Sequence, residues 1–255
     1  MIENKIIKID CFNFFEKLSD NIIDFILTDP PYGINFKDGI AKNPLKIIKN
    51  DNIDDIDWGL FFKECYRILK PNKMIYLCCR ADFLMRLAPF IQESQLSFVH
   101  DFIWAKGDMG YGNLNIMGNT HELLIGLCKG KPEKSRQIKI DGELKKRTPA
   151  IFYGKVSKKE YYKHPMQKPI GLLAYLILNR TDKNDIVFDP FCGVASTLIA
   201  AKMTERNYIG CEIDVDFFKL SNERLNDENH LNLFKNLEER FTRFNGATKL
   251  KSLDE

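Results

Sequence analysis

The sequence predicts an α/β protein, a mostly parallel sheet with helices on both faces and a small basic insertion. Three observations lead there. Short runs rich in β-formers alternate with helix-patterned segments along most of the chain, the signature of a layered parallel sheet. Two apolar runs, ILTDPPY and IVFDPFCG, end abruptly in an aspartate followed by turn-forming residues, as strands do at the functional edge of such a sheet. At 255 residues, with 44% hydrophobic and 29% charged residues, the chain is large enough for one such domain with its own core.

The elements follow in order. Strands are expected over 5–9, 22–27, 74–79, 98–105, 122–128, 185–188 and 207–211. Helices are expected over 12–18, 58–69, 82–92, 170–179, 196–203 and 214–225, with Pro71 as the stop after the second. Three regions break the rhythm: a polar connection over 33–57, a loop over 106–120 with four glycines, and a basic stretch over 129–163. From about 229 an amphipathic helix is expected, then a polar end that frays. The chain thus divides into 1–128, the insertion 129–163, 164–228 and the tail 229–255.

Composition narrows the classes. No stretch reaches the ~18 uninterrupted apolar residues of a membrane span, so no membrane partner is expected. The opening MIENKIIKID lacks a secretion-signal layout, and cytoplasmic residence is the expectation. The seven cysteines are scattered through apolar runs without a CxxC pair, which suits buried free thiols and no metal site. Residues 129–168 hold 13 Lys/Arg against 4 Asp/Glu, on a remainder of 25 against 31. A basic segment on an acidic body suits a polyanionic partner or a solvated loop.

IVFDPFCGVAST, residues 186–197, reads as a strand, a turn of small residues that admits close backbone approach, and a helix. Glu212 ends the next strand 19 residues after Gly193, where a carboxylate can accept from ribose hydroxyls. No Lys-Ser/Thr follows the glycine, so the turn suits a nucleoside without a pyrophosphate, and Asp214 reads as the next helix's N-cap. In DPPY, residues 29–32, Pro30 and Pro31 force the chain out of the sheet. Asp29 and the Pro30 carbonyl are two acceptors and Tyr32 is a stacking face, the set an exocyclic amino group on a nucleobase needs.

DPPY at 29–32, FDPFCGVAST at 188–197, GCE at 210–212 and HPMQKP at 164–169 together resemble the amino-methyltransferases of DNA, which use S-adenosylmethionine. Their order is that of the family's beta group, and the likeness runs from about Lys5 to about Leu225. The resemblance implies a Rossmann-like methyltransferase fold. It gives Asp29, Pro30, Pro31 and Tyr32 to the target amino group and flipped base. To the cofactor it gives Asp189, Phe191 and Gly193 with Glu212 on the ribose, Asp10 on the adenine, Lys168 on the cofactor side, and Asp29 again at the border. Ala195 stands where the family has Gly and Met166 where it has Thr.

The implied reaction is methylation of adenine N6 in double-stranded DNA, with cytosine N4 and a catalytically silent DNA-binding module as alternatives. Asp rather than Ser at position 29 favours adenine. No cysteine follows a proline, so the nucleophile of cytosine-carbon methylation is absent. The stretch 129–163 falls at the family's target-recognition region, with tyrosines interleaved among lysines. His164 reads as structural, His121-Glu122 carries no catalytic assignment, and Trp104 and Lys106 anchor the glycine-rich loop. A homodimer and a cognate restriction endonuclease are open family-level expectations.

Overall fold

A computed structural model of the chain describes residues 4–31, 55–106, 120–134, 139–140, 143–144, 150–162, 167–235 and 248–249. The first half runs β1 (Lys5–Lys8), α1 (Cys11–Phe15), β2 (Ile23–Thr28), α2 (Trp58–Ile68), β3 (Leu69–Cys79), α3 (Ala81–Glu93), β4 (Ser97–Ala105) and β5 (His121–Cys128). A short hairpin, β6 (Lys139–Ile140) and β7 (Glu143–Leu144), precedes β8 (Ile151–Tyr153). Then come α4 (Ile170–Arg180), β9 (Ile186–Asp189), α5 (Ser196–Met203), β10 (Asn207–Glu212), α6 (Val215–Asn226), α7 (Glu228–Asn232) and β11 (Thr248–Lys249).

Nine strands share one sheet in the order β1-β10-β9-β2-β3-β5-β4-β8-β11. All neighbours are parallel except β5, which runs antiparallel to both β3 and β4. From β9 the chain passes through α5 outward to β10, whereas from β2 it passes through α2 outward to β3. The connections therefore diverge between β9 and β2, and a crevice opens beyond their carboxyl ends. β2 is buried along its whole length, as a central parallel strand must be. Asp24 pins it from the side: its carboxylate takes the Lys70 ammonium at 2.7 Å and the Ile186 N–H at 2.9 Å, tying β2 to β3 and β9.

An aromatic cluster fills the layer beneath α1 and α2, with Phe15 edge-on to Phe61 and Phe188 at 6.0 and 5.9 Å and Trp58 edge-on to Phe61. α4 is buried on nearly every side, which explains why its sequence, IGLLAYLILNR, has no polar stripe. At Gly210 a Cβ would stand 2.5 Å from Leu198 Cδ1, so the bare backbone lets α5 sit close on β10.

The seven expected strands and six expected helices all form. β3 starts at Leu69 rather than 74 and takes in Pro71; its first residues meet β2 only at Ile23, before a register shift, where a missing N–H is tolerated. The basic stretch is not wholly an insertion, because β8 joins the sheet beside β4. Of the expected C-terminal helix the described part is α7, and residues 236–247 lie outside the described set, as do most of 33–57 and of the glycine-rich loop. All seven cysteines are buried free thiols. No helix among the described residues is long and apolar enough to cross a membrane.

Candidate active site

β2 and β9 end side by side, at Thr28 and Asp189. Thr28 Oγ1 donates to Asp189 Oδ1 at 2.7 Å, and the Phe191 N–H reaches the same oxygen at 3.1 Å. Burial pushes the Asp189 carboxyl up to about 6, against the hydrogen bonds from Thr28 and Thr197 that favour its ionised form. The chain then turns tightly: Gly193 has φ +50° and Ala195, which precedes α5, has φ +63°, so an L-residue holds the left-handed conformation there. Phe191 lies against Phe61, ring centroids 5.7 Å apart.

Glu212, closing β10, holds this turn. One oxygen accepts the Gly193 N–H at 2.9 Å and the other the Asp214 N–H at 2.7 Å. Burial pushes its carboxyl up to about 7, and the two N–H groups pull the other way. Asp214 is the N-cap of α6, as the sequence indicates, accepting from Asp216 and Phe217. Asp10 likewise caps α1 through the Phe12 N–H at 2.8 Å. A cleft of about 220 Å³ opens at this edge, and Asp10, Asp29, Pro30, Pro31, Lys168, Asp189, Phe191, Gly193 and Glu212 all line it. Tyr32, His164 and Met166 lie outside the described residues.

Lys168, expected on the cofactor side, lines the cleft, and its ammonium is ion-paired with Asp29 and faces Glu122 at 3.3 Å. The reason is burial: Lys168 is 4% exposed, and an ammonium taken out of water needs carboxylates around it. Burial alone would lower its pKa, but Asp29 and Glu122 outweigh that and hold it above the ordinary lysine range. Glu122 in turn pairs with Lys106, so four charges alternate in sign along Lys106, Glu122, Lys168 and Asp29. Trp104 lies beneath both lysines, 4.8 and 5.7 Å from its ring, and donates from Nε1 to the Gly154 carbonyl at 2.6 Å. Trp104 and Lys106, expected to anchor the glycine-rich loop, are thus in contact with the site through Glu122 and Lys168.

Sequence reasoning passed over Thr28 and named Glu122 without giving it a role. A hydroxyl closing an otherwise apolar strand was the signal for the first. The second was hidden by strand direction: β5 is antiparallel, so its first residues, not its last, stand at the catalytic edge.

The family model described as DNA methylase matches residues 23–223. The chain belongs to the DNA methylase family. The methylase is 30% identical over 241 residues to the type II methyltransferase M2.MboI of Moraxella bovis, covering 86% of each chain. It is 26% identical to M2.DpnII of Streptococcus pneumoniae, covering 90% of this chain and 93% of that one. Among solved structures it resembles M1.HpyAVI in complex with SAM (TM-score 0.66, 25% identity, 87% of this chain and 98% of that one). The cytosine-N4-specific PvuII DNA methyltransferase shares the fold, with TM-score 0.69 at 18% identity over 93% of this chain and 92% of that one. The methylase's cleft suits S-adenosylmethionine by its own chemistry. It sets carboxylates for a cation and for hydroxyls beside the apolar face of Phe191.

Proposed function

We propose that the methylase transfers a methyl group from S-adenosylmethionine to N6 of an adenine flipped out of double-stranded DNA. The observation that carries this is Asp29. It leaves β2 at the sheet's divergence point, borders the cofactor cleft, and is fixed by a buried lysine. A carboxylate so held is an acceptor of set direction. Asp29 and the Pro30 carbonyl accept the two N–H groups of the amino nitrogen, localising a lone pair that the purine ring otherwise delocalises. Tyr32 stacks on the base.

Bound S-adenosylmethionine supplies an electrophilic methyl on a sulfonium. Asp29 would aim the nitrogen lone pair at that methyl, so that a C–N bond would form as the C–S bond broke with its electrons left on sulfur, and would take the departing N–H proton on its way to water. Glu212 accepts from the ribose hydroxyls, Asp189, Phe191 and Gly193 line the methionine side, and Asp10 meets the adenine of the cofactor. Lys168, on the cofactor side of the cleft, holds Asp29. No covalent enzyme intermediate is needed, so positioning and electrostatics carry the rate. Base extrusion costs roughly a few kcal/mol, which contacts along the basic segment offset.

Aspartate at position 29 is the feature that favours adenine within the family. Residues 129–163 are assigned target recognition, in a chain divided as 1–128, 129–163, 164–228 and 229–255. A homodimer and a cognate endonuclease fit a restriction-modification setting. The test is incubation with labelled S-adenosylmethionine and mixed-sequence duplex DNA, followed by nucleoside mass analysis. N6-methyldeoxyadenosine is expected; N4-methyldeoxycytidine would overturn the base, and no methyl on DNA despite cofactor binding would leave a silent binder.

A further inference from the structure

We infer that Glu122 is a positioning residue for methyl transfer: by sharing the Lys168 ammonium it leaves Asp29 oriented and negatively charged toward the target amino group. The inference rests on the role proposed for Asp29.

Four separate elements build the arrangement. Asp29 leaves β2, Glu122 enters β5, Lys168 stands just before α4, and Lys106 follows β4. Such convergence is not a by-product of one helix or one hairpin. Glu122 is 8% exposed and Lys168 is 4% exposed, while Asp29 keeps 23% of its side-chain surface and Lys106 keeps 26%. The string therefore has two buried middle members and two accessible ends. Its negative end meets the cleft and its positive end meets water.

The charges decide what Glu122 does. In a low-dielectric site, Lys168 facing Asp29 alone would cancel most of its charge, and a neutralised carboxylate is a weak acceptor. With Glu122 at 3.3 Å on its other side, the ammonium is divided between two carboxylates. Asp29, Lys168 and Glu122 then sum to one negative charge, with Lys106 balancing from the outer end. Removing Glu122 leaves two lysines against Asp29, a net positive site just where positive charge must develop. During transfer that charge moves from sulfur to the amino nitrogen, toward Asp29. The transition state consequently depends on Asp29 more than the cofactor-bound ground state does.

A structural role alone would predict something different. Lys168 would still have Asp29, and Glu122→Gln, an isosteric change, would lower stability without favouring one kinetic step. The measurement is the single-turnover rate at saturating DNA and cofactor, alongside the Kd for S-adenosylmethionine, for wild type, Glu122→Gln, Glu122→Asp and Asp29→Ala. We expect Glu122→Gln to lose about 10- to 100-fold in rate, with a smaller change in cofactor Kd, and Glu122→Asp to recover part of the loss. A Glu122→Gln enzyme as fast as wild type overturns the inference. So does loss of rate only in step with cofactor binding, or a Glu122→Asp enzyme no better than Glu122→Gln. Asp29→Ala is the separate control: if it stays active, the reading of Asp29 fails whatever Glu122 does.

Discussion

Asp29 and Glu212 stand at the ends of strands that lie on opposite sides of the sheet's divergence point, and they are held in opposite ways. Asp29 is gripped by a side chain, Lys168, whereas Glu212 itself grips two backbone N–H groups. Asp29→Ala should therefore abolish methyl transfer and leave cofactor affinity nearly intact, as titration calorimetry would show. Glu212→Ala should instead weaken cofactor binding, and, by stranding two partly buried N–H groups, also destabilise the fold by about 1–3 kcal/mol each. Ala195 gives a finer test. Its left-handed backbone costs roughly 1–2 kcal/mol. Replacing it by Gly removes that cost but returns about 0.4–1 kcal/mol through unfolded-state entropy and loses the burial of one methyl, about 0.8 kcal/mol. These nearly cancel, so Ala195→Gly should shift the unfolding free energy by less than about 1 kcal/mol. Ala195→Val, β-branched in the same conformation and fully buried, should be far worse.

At the scale of elements, the cofactor turn is fastened from behind by a buried arginine on α6. Arg224 donates to the Val194 carbonyl and Ser196 Oγ, both at 2.9 Å, and to His230 Nε2 on α7 at 2.9 Å, while its guanidinium lies 5.4 Å over the Tyr162 ring. Gln167 extends this contact, accepting from Tyr162 N–H and donating to the Glu160 carbonyl. The end of the basic stretch, the cofactor turn and α6–α7 thus share one polar knot. Arg224→Met should cost on the order of 3–5 kcal/mol in urea unfolding and weaken cofactor binding together with it, because the turn loses its anchor. None of this knot was legible in the sequence. The helices and parallel strands were, since apolar periodicity and capping residues such as Asp214 act locally, and so were the motif residues that line the cleft. β8 was missed because three residues carry too little pattern to compete with the surrounding lysines. Lys168's partner was missed because residue spacing does not report which way a side chain turns 139 positions away.

The whole molecule carries several ionisable groups whose burial opposes charge, and their balance sets how its stability follows pH. Burial holds Glu160 and Glu212 up to about 7 and Asp189 up to about 6. A carboxyl raised on folding contributes stability that is fully present below the unfolded value near 4 and is lost as pH rises through its folded value. His230 works in the other direction: burial, then Arg224, bring it down to about 4, so its contribution is present above about 6.5 and is lost as pH falls. His100, lowered first by burial and then by Arg180, works with His230, but three carboxyls against two imidazoles still make the free protein lose melting temperature between pH 5 and 8, by several °C for a chain of this size. S-adenosylmethionine changes that balance. Its sulfonium and ammonium favour the ionised forms of the carboxylates that border the cleft, Asp189 and Glu212, and so counter the desolvation that raised them. The rise in melting temperature on adding saturating cofactor should consequently be larger at pH 8 than at pH 5.5, and Glu212→Gln should shrink that difference. Calorimetric scans of the free and cofactor-saturated protein across this range decide it. A cofactor-induced shift equal at both ends would mean that these buried carboxylates do not change protonation when the cleft is filled.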